Sequence, residues 1–142
     1  MAKEVIHLPL KEIDPLCRRA IILFNLLGLK TQYCCSGHTD KEYSNRWYII
    51  FDECVTDDQI SAFQMDMFHY THRSFPLVKT WTINSDTNTP CMRWMWEENI
   101  GKFAIENQRI AYWKTKNLQL LVVLRSRLGG LKHMDKLKVF CD

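Results

Sequence analysis

The segment Arg46-Trp47-Tyr48-Ile49-Ile50-Phe51 constrains the fold more than any other. Aromatic and β-branched side chains fill every position after the arginine, and polar residues bracket the run, so it reads as a strand. A strand needs a neighbour to satisfy its backbone amides and carbonyls. The nearest is Lys30-Thr31-Gln32-Tyr33-Cys34-Cys35, ended by Ser36-Gly37, which predicts an antiparallel hairpin. Its connection, His38 to Asn45, is polar, charged and longer than a tight turn, which makes it a candidate binding loop. A second hairpin follows from Leu77 to Ile83 and Cys91 to Trp96 around the turn-favouring residues Asn84 to Pro90.

Three helical patterns surround these hairpins. Asp14-Pro15 supplies a cap and a favoured first residue, and Leu16, Ala20, Leu23 and Leu27 recur at helical spacing until Gly28, predicting a helix over Pro15 to Leu27. Thr56-Asp57-Asp58-Gln59 has the capping-box pattern, and Ile60, Phe63 and Met67 mark the buried stripe of a second helix ending near Tyr70. From about Lys102 to Leu128 a long pattern runs through Phe103, Ile110, Trp113, Leu120, Leu121 and Leu124 until Gly129-Gly130 stops it. Lys136 to Phe140 can add a short last strand. The order α-β-β-α-β-β-α predicts an α+β fold: one four-stranded antiparallel sheet from two hairpins, packed with helices on one face.

The 142 residues, 46% of them hydrophobic, suit a single domain over 1–142. The apolar runs Ala20 to Phe24 and Leu120 to Leu124 fall far short of the ~18 residues that a membrane span requires. The first residues lack the basic and apolar blocks of a secretion signal, so a cytoplasmic location is expected, with the six cysteines as reduced thiols. A net charge of +3 from 19 basic and 16 acidic residues is too mild to imply a nucleic-acid partner.

The chemistry centres on Cys35-Ser36-Gly37-His38. Glycine after a strand allows close approach of the backbone to a ligand, and successive amides in such a turn can form a nest for an anion such as phosphate. Ser36 adds a hydroxyl and His38 an imidazole that titrates near neutral pH. The same residues also fit an ordinary turn with Gly37 at positive φ. Cys34, Cys35 and His38 are poor metal ligands as a set, because adjacent cysteines on a strand point to opposite faces and no Cys-x-x-Cys pair exists. No metal or cofactor is expected. Arginines can grip phosphate oxygens bidentately or stack on a base. Arg46, Arg93 and Arg109 are the candidates, with Tyr48 as an aromatic neighbour. Phosphate-loop, dinucleotide, zinc-protease and nucleophile-elbow motifs are absent.

The segment Leu26-Leu27-Gly28-Leu29-Lys30-Thr31-Gln32-Tyr33-Cys34-Cys35-Ser36-Gly37-His38, followed by Trp47-Tyr48-Ile49-Ile50-Phe51, resembles small phage-encoded proteins, most of all the Thoeris anti-defence family. Members are sponges for cyclic ADP-ribose isomers, the signal made by bacterial TIR-domain enzymes. The resemblance covers about the first third of the chain. It implies a non-enzymatic role, in which a homodimer or larger homo-oligomer captures a cyclic nucleotide and holds it uncleaved. Cys-Ser-Gly also resembles a stretch in the tRNA-acting wybutosine-synthesis methyltransferases, where Arg typically follows and His38 departs from the pattern. Two other classes stay open: an enzyme acting on a nucleotide or RNA through His38 or Cys35, and a phage inhibitor that binds a protein through the aromatic surface around Trp94 and Trp96.

Overall fold

A computed structural model describes residues 4–8, 10–35, 46–73, 75–84, 86–99, 105–127 and 137–141. Strand β1 (Glu4–Leu8) and a 3-10 turn at Leu10–Glu12 precede helix α1 (Arg18–Leu26). Then come β2 (Thr31–Cys35), β3 (Arg46–Phe51), α2 (Asp57–Thr71), β4 (Leu77–Asn84), β5 (Thr89–Asn99), α3 (Glu106–Arg127) and β6 (Leu137–Cys141). The predicted α+β architecture is present: β2, β3, β5 and β4 form a four-stranded antiparallel sheet in that order. Strand β1 was not anticipated. It pairs in parallel with β6 as a separate two-stranded sheet, from Glu4 opposite Leu137 to Leu8 opposite Cys141.

Local chemistry explains the helix ends. Asp14 and Pro15 form a turn before α1 rather than its first residues: the Cys17 amide donates to the Asp14 carbonyl at 2.9 Å, and Cys17 becomes the cap without a side-chain bond. Gly28, at φ +84°, reverses the chain after α1, and the Leu29 amide donates to the Phe24 carbonyl at 2.9 Å. The predicted capping box opens α2: the Gln59 amide donates to Thr56 Oγ1 at 3.2 Å and the Thr56 amide to Gln59 Oε1 at 2.9 Å. Its buried residues are the predicted Ile60, Phe63 and Met67. In α3 the buried phase is Arg109, Trp113, Leu120, Val123 and Leu124, which leaves Ile110 and Leu121 only half-buried.

The core lies between the sheet and the helices. Trp47, Ile49, Phe51 and Trp96, alternate residues of β3 and β5, are completely buried against Phe24 of α1, Phe63 of α2 and Trp113 of α3. Phe24 meets Phe51, Phe63, Phe75 and Trp96 edge-on, at centroid distances of 5.0 to 6.4 Å. Trp96 in turn meets Trp47 and Phe75, both at 4.3 Å. Such edge-to-face contacts add to the hydrophobic gain of burying large rings.

This packing corrects one expectation. Trp94 and Trp96 do not form an exposed aromatic surface, because Trp96 is inside the core and half-buried Trp94 donates its indole N–H to Asp57 at 2.8 Å. The exposed aromatics include Trp81 on β4 and Phe68 on α2.

Replacing Thr56 by Ala removes the side-chain half of the capping box. The expected loss is about 1 kcal/mol, with a fall in Tm of about 3 °C in calorimetry, and an unchanged Tm would count against a stabilising cap.

Candidate binding site at one end of the sheet

Strand pairing brings part of the predicted site together. Cys35 lies opposite Tyr48, Tyr48 lies opposite Glu97, and Arg46 starts β3 opposite Asn99. These positions share the end of the sheet from which residues 36–45 leave β2 and return to β3. Ser36, Gly37 and His38 fall outside the described residues.

The helix-covered face at this same end holds the most unusual side chain of the protein. Arg109, in the first turns of α3, is only 7% exposed. Its Nε has no hydrogen-bond partner, and among the described residues no carboxylate pairs with the guanidinium. One helical turn further on, Trp113 stacks on Trp47 of β3 with ring centroids 3.7 Å apart and planes 23° from parallel. That stack fixes the start of α3 beside the start of β3. The indole N–H of Trp113 is also buried without a hydrogen-bond acceptor. A buried guanidinium costs free energy unless an anion or several acceptors compensate it.

A buried ion pair flanks these groups. Glu98, on β5 opposite Trp47, accepts from the Trp96 indole at 3.0 Å, and the Lys116 ammonium lies 4.0 Å from the same oxygen. Their side chains are 11% and 14% exposed, so the acidic group nearest the site is already engaged. Lys116 also lies over the rings of Phe75 and Tyr112, at 5.0 and 5.4 Å.

Arg93 lies elsewhere. It alternates with Trp94, whose indole reaches the helix side, so Arg93 faces the opposite side of the sheet from α3 and Arg109. It is 2% exposed, donates from Nη1 to Gln32 Oε1 at 2.7 Å and from Nε to Cys91 Sγ at 3.2 Å. Along β5 it is four residues, about 13 Å, from Glu97 and the Tyr48 row. Tyr48 alternates with the buried Trp47, so it faces away from α3 and Arg109, on the side of the sheet that also carries Arg93.

Cys17 and Cys34 meet at this end too, and sequence reasoning missed the pair. Hydrogen bonding with Cys17, reinforced by the Asp14 backbone, holds the Cys34 thiol below its ordinary pKa although burial opposes this. Cys17 is pushed far up, first by donating to Cys34 and then by its own burial. No spacing rule links a helix cap to a strand 17 positions later; only the short turn at Gly28, which folds α1 back along β2, brings them together.

The fold is a two-hairpin α+β domain whose helix α3 carries a buried arginine, Arg109. The model of the YoqC prophage protein family matches residues 6–110, which span the whole four-stranded sheet and reach Arg109. The chain belongs to this family and is phage-derived. No curated protein and no solved structure matches it. Among the described residues, no helix is long and apolar enough to cross a membrane.

Replacing Arg109 by Met keeps an unbranched side chain of similar reach and removes the unpaired buried charge. The ligand-free protein is expected to gain about 1 kcal/mol or more, seen as a rise of a few degrees in Tm. A fall in Tm would show instead that the guanidinium is satisfied within the fold.

Proposed function

We propose that the protein is a phage-encoded immune-evasion protein that captures a cyclic nucleotide signal, of the cyclic ADP-ribose isomer type, and holds it without cleaving it. The observation that carries this reading is Arg109: a guanidinium 7% exposed, with no acidic partner among the described residues, at the sheet end that carries residues 36–45. Such a ligand brings two phosphates, a purine and ribose hydroxyls. It calls for cationic donors, an aromatic face and polar side chains in one place. On this reading Arg109 supplies a cation from the helix-covered face, and Arg46, Tyr48 and Cys35-Ser36-Gly37-His38 supply a second cation, an aromatic and the amide turn from the end of the hairpin. Release of binding energy into sequestration, not turnover, accords with a site built from donors. A homodimer or larger assembly that closes one copy's site with another would hide more of the ligand and slow its escape.

The test is direct. Purified protein mixed with cyclic ADP-ribose isomers should melt several degrees higher when the ligand is at a hundredfold its Kd, corresponding to about 2.7 kcal/mol. Heating the complex should then return intact ligand. Arg109→Met should abolish the thermal shift. Recovery of a cleaved product would replace the reading by an enzymatic one acting through His38 or Cys35, and the absence of a shift with every isomer would remove it.

A second reading rests on a different observation. On the outer face of α2, Met65 and Phe68 are 71% and 62% exposed and, with Ser61, Gln64 and His69, line an open depression of ≈ 450 Å³. A phage inhibitor that binds a host protein would use such a face. A stoichiometric host partner lost on Phe68→Asp, with no response to cyclic nucleotides, would favour it over sequestration.

A further inference from the structure

Strand β4 lies at the edge of the four-stranded sheet, paired on one side with β5 and, among the described residues, with no strand on the other. Its register runs unbroken over eight residues, from Leu77 opposite Trp96 to Asn84 opposite Thr89. An edge of that length presents a row of unpaired amides and carbonyls, and folds normally blunt it with proline, a bulge or outward charge. None of these devices is present in β4. It has no proline, its pairing shows no shift, and its one charged residue, Lys79, is turned onto Asp57 at 2.7 Å. Large apolar side chains stand there instead, with Trp81 69%, Ile83 56% and Val78 48% exposed. We propose that β4 pairs antiparallel with β4 of a second copy of this chain, joining two four-stranded sheets into one of eight strands about a twofold axis.

The strand is complementary to itself. The twofold axis of such a pair is perpendicular to the sheet, so residues opposite each other across the seam stand on the same face. With the axis at Thr80, Lys79 faces Trp81 of the second copy, Leu77 faces its Ile83, and Val78 faces its Thr82. Side chains directly opposite in an antiparallel pair are in contact, so each Lys79 gains an indole face and each Ile83 is covered by a leucine. Lys79 already lies 5.9 Å from the ring centroid of Trp94 and is neutralised by Asp57, so the seam brings together no unpaired like charges. An axis at Lys79 would set two ammonium groups against each other, and an axis at Trp81 would set Lys79 against Ile83. Charge and shape therefore select the register centred on Thr80. A strand of a different protein meets the same backbone groups. A second copy also brings its own Lys79 to Trp81 and its own Trp81 to Lys79 in one contact. The seam uses none of the residues assigned to the ligand, so the proposal does not rest on the sequestration reading.

The test is sedimentation equilibrium of the full chain, without ligand and over a wide range of concentration. A reversible monomer–dimer equilibrium is expected, and a monomer at every concentration would overturn the proposal and leave the edge to a strand of another protein. Trp81→Lys sets two ammonium groups face to face on each side of the axis, and should raise the dimer dissociation constant by about tenfold or more. Phe68→Asp, on α2, should leave that constant unchanged. Both side chains are largely exposed, so the fold tolerates both changes. A dimer lost in Phe68→Asp and kept in Trp81→Lys would move the interface to α2 and overturn the pairing. The register is read by crosslinking. Under mild oxidation Thr80→Cys should give a dimer linked through residue 80, while Thr82→Cys, which faces Val78, should give no more than the native chain treated alike. A link through residue 82 and none through residue 80 would also overturn the pairing. No nucleotide enters these measurements, so failure here is separate from failure of the sequestration reading.

Discussion

Everything in the architecture depends on the edge-on contact between Phe24 and Trp96, with ring centroids 5.7 Å apart. Phe24 is the one ring of α1 that touches both hairpins, through Phe51 of β3 and Trp96 of β5, and it also reaches Phe63 of α2. Trp96 carries the network onward to Trp47, and Trp47 stacks on Trp113 of α3. Three helices are therefore registered on the sheet by one chain of rings. Interiors of this density transmit displacement, so the position of Arg109, one turn from Trp113, is set by the core rather than by a loop. A guanidinium held in this way has little freedom to swing out into water, which is why its lack of a partner carries meaning. A surface arginine would find solvent.

The stack of Trp113 on Trp47 sets the early part of α3 beside the beginning of β3. The low pKa of Cys34 has a local cause, since one of its stabilising donors is the Asp14 amide in the turn that leads into α1. Glu98 lies opposite Trp47, and its ties to Trp96 and Lys116 keep it engaged on the sheet.

What the sequence made legible follows the range of the forces involved. The capping box at Thr56 and Gln59, the Gly28 reversal and the strand Arg46–Phe51 rest on contacts within a few residues, and all three stand where the pattern puts them. Strand β1 is short, and its partner β6 lies at the other end of the chain, so no local pattern marks it. For α1, Asp14-Pro15 gave a correct local signal for a turn but set the helix start too early, because the chain completes that turn before Arg18. In α3 the apolar pattern favours Ile110, yet the stack of Trp113 on Trp47 rotates Arg109 into the buried phase. That tertiary choice places Arg109, a candidate for gripping phosphate by its residue type, among the buried residues of α3.

Arg93 and Arg109 show why burial alone is a poor guide to function. Both are more than nine-tenths buried, and both stand in the sequence beside aromatic residues. Arg93 bridges β2 and β5 through Gln32 and reaches back to Cys91, so its donors tie strands together within the sheet. Removing it would leave Gln32 short of a partner and open a hole in the sheet face. Arg109 bridges nothing among the described residues, and its Nε is left without an acceptor in a low-dielectric setting where acceptors are worth most. A fold retains such a group against its cost only where a compensating charge arrives from outside the chain or the group serves a purpose other than stability. Partners, and not exposure, distinguish the two arginines: Arg93 ties strands together, and Arg109 Nε is left without an acceptor.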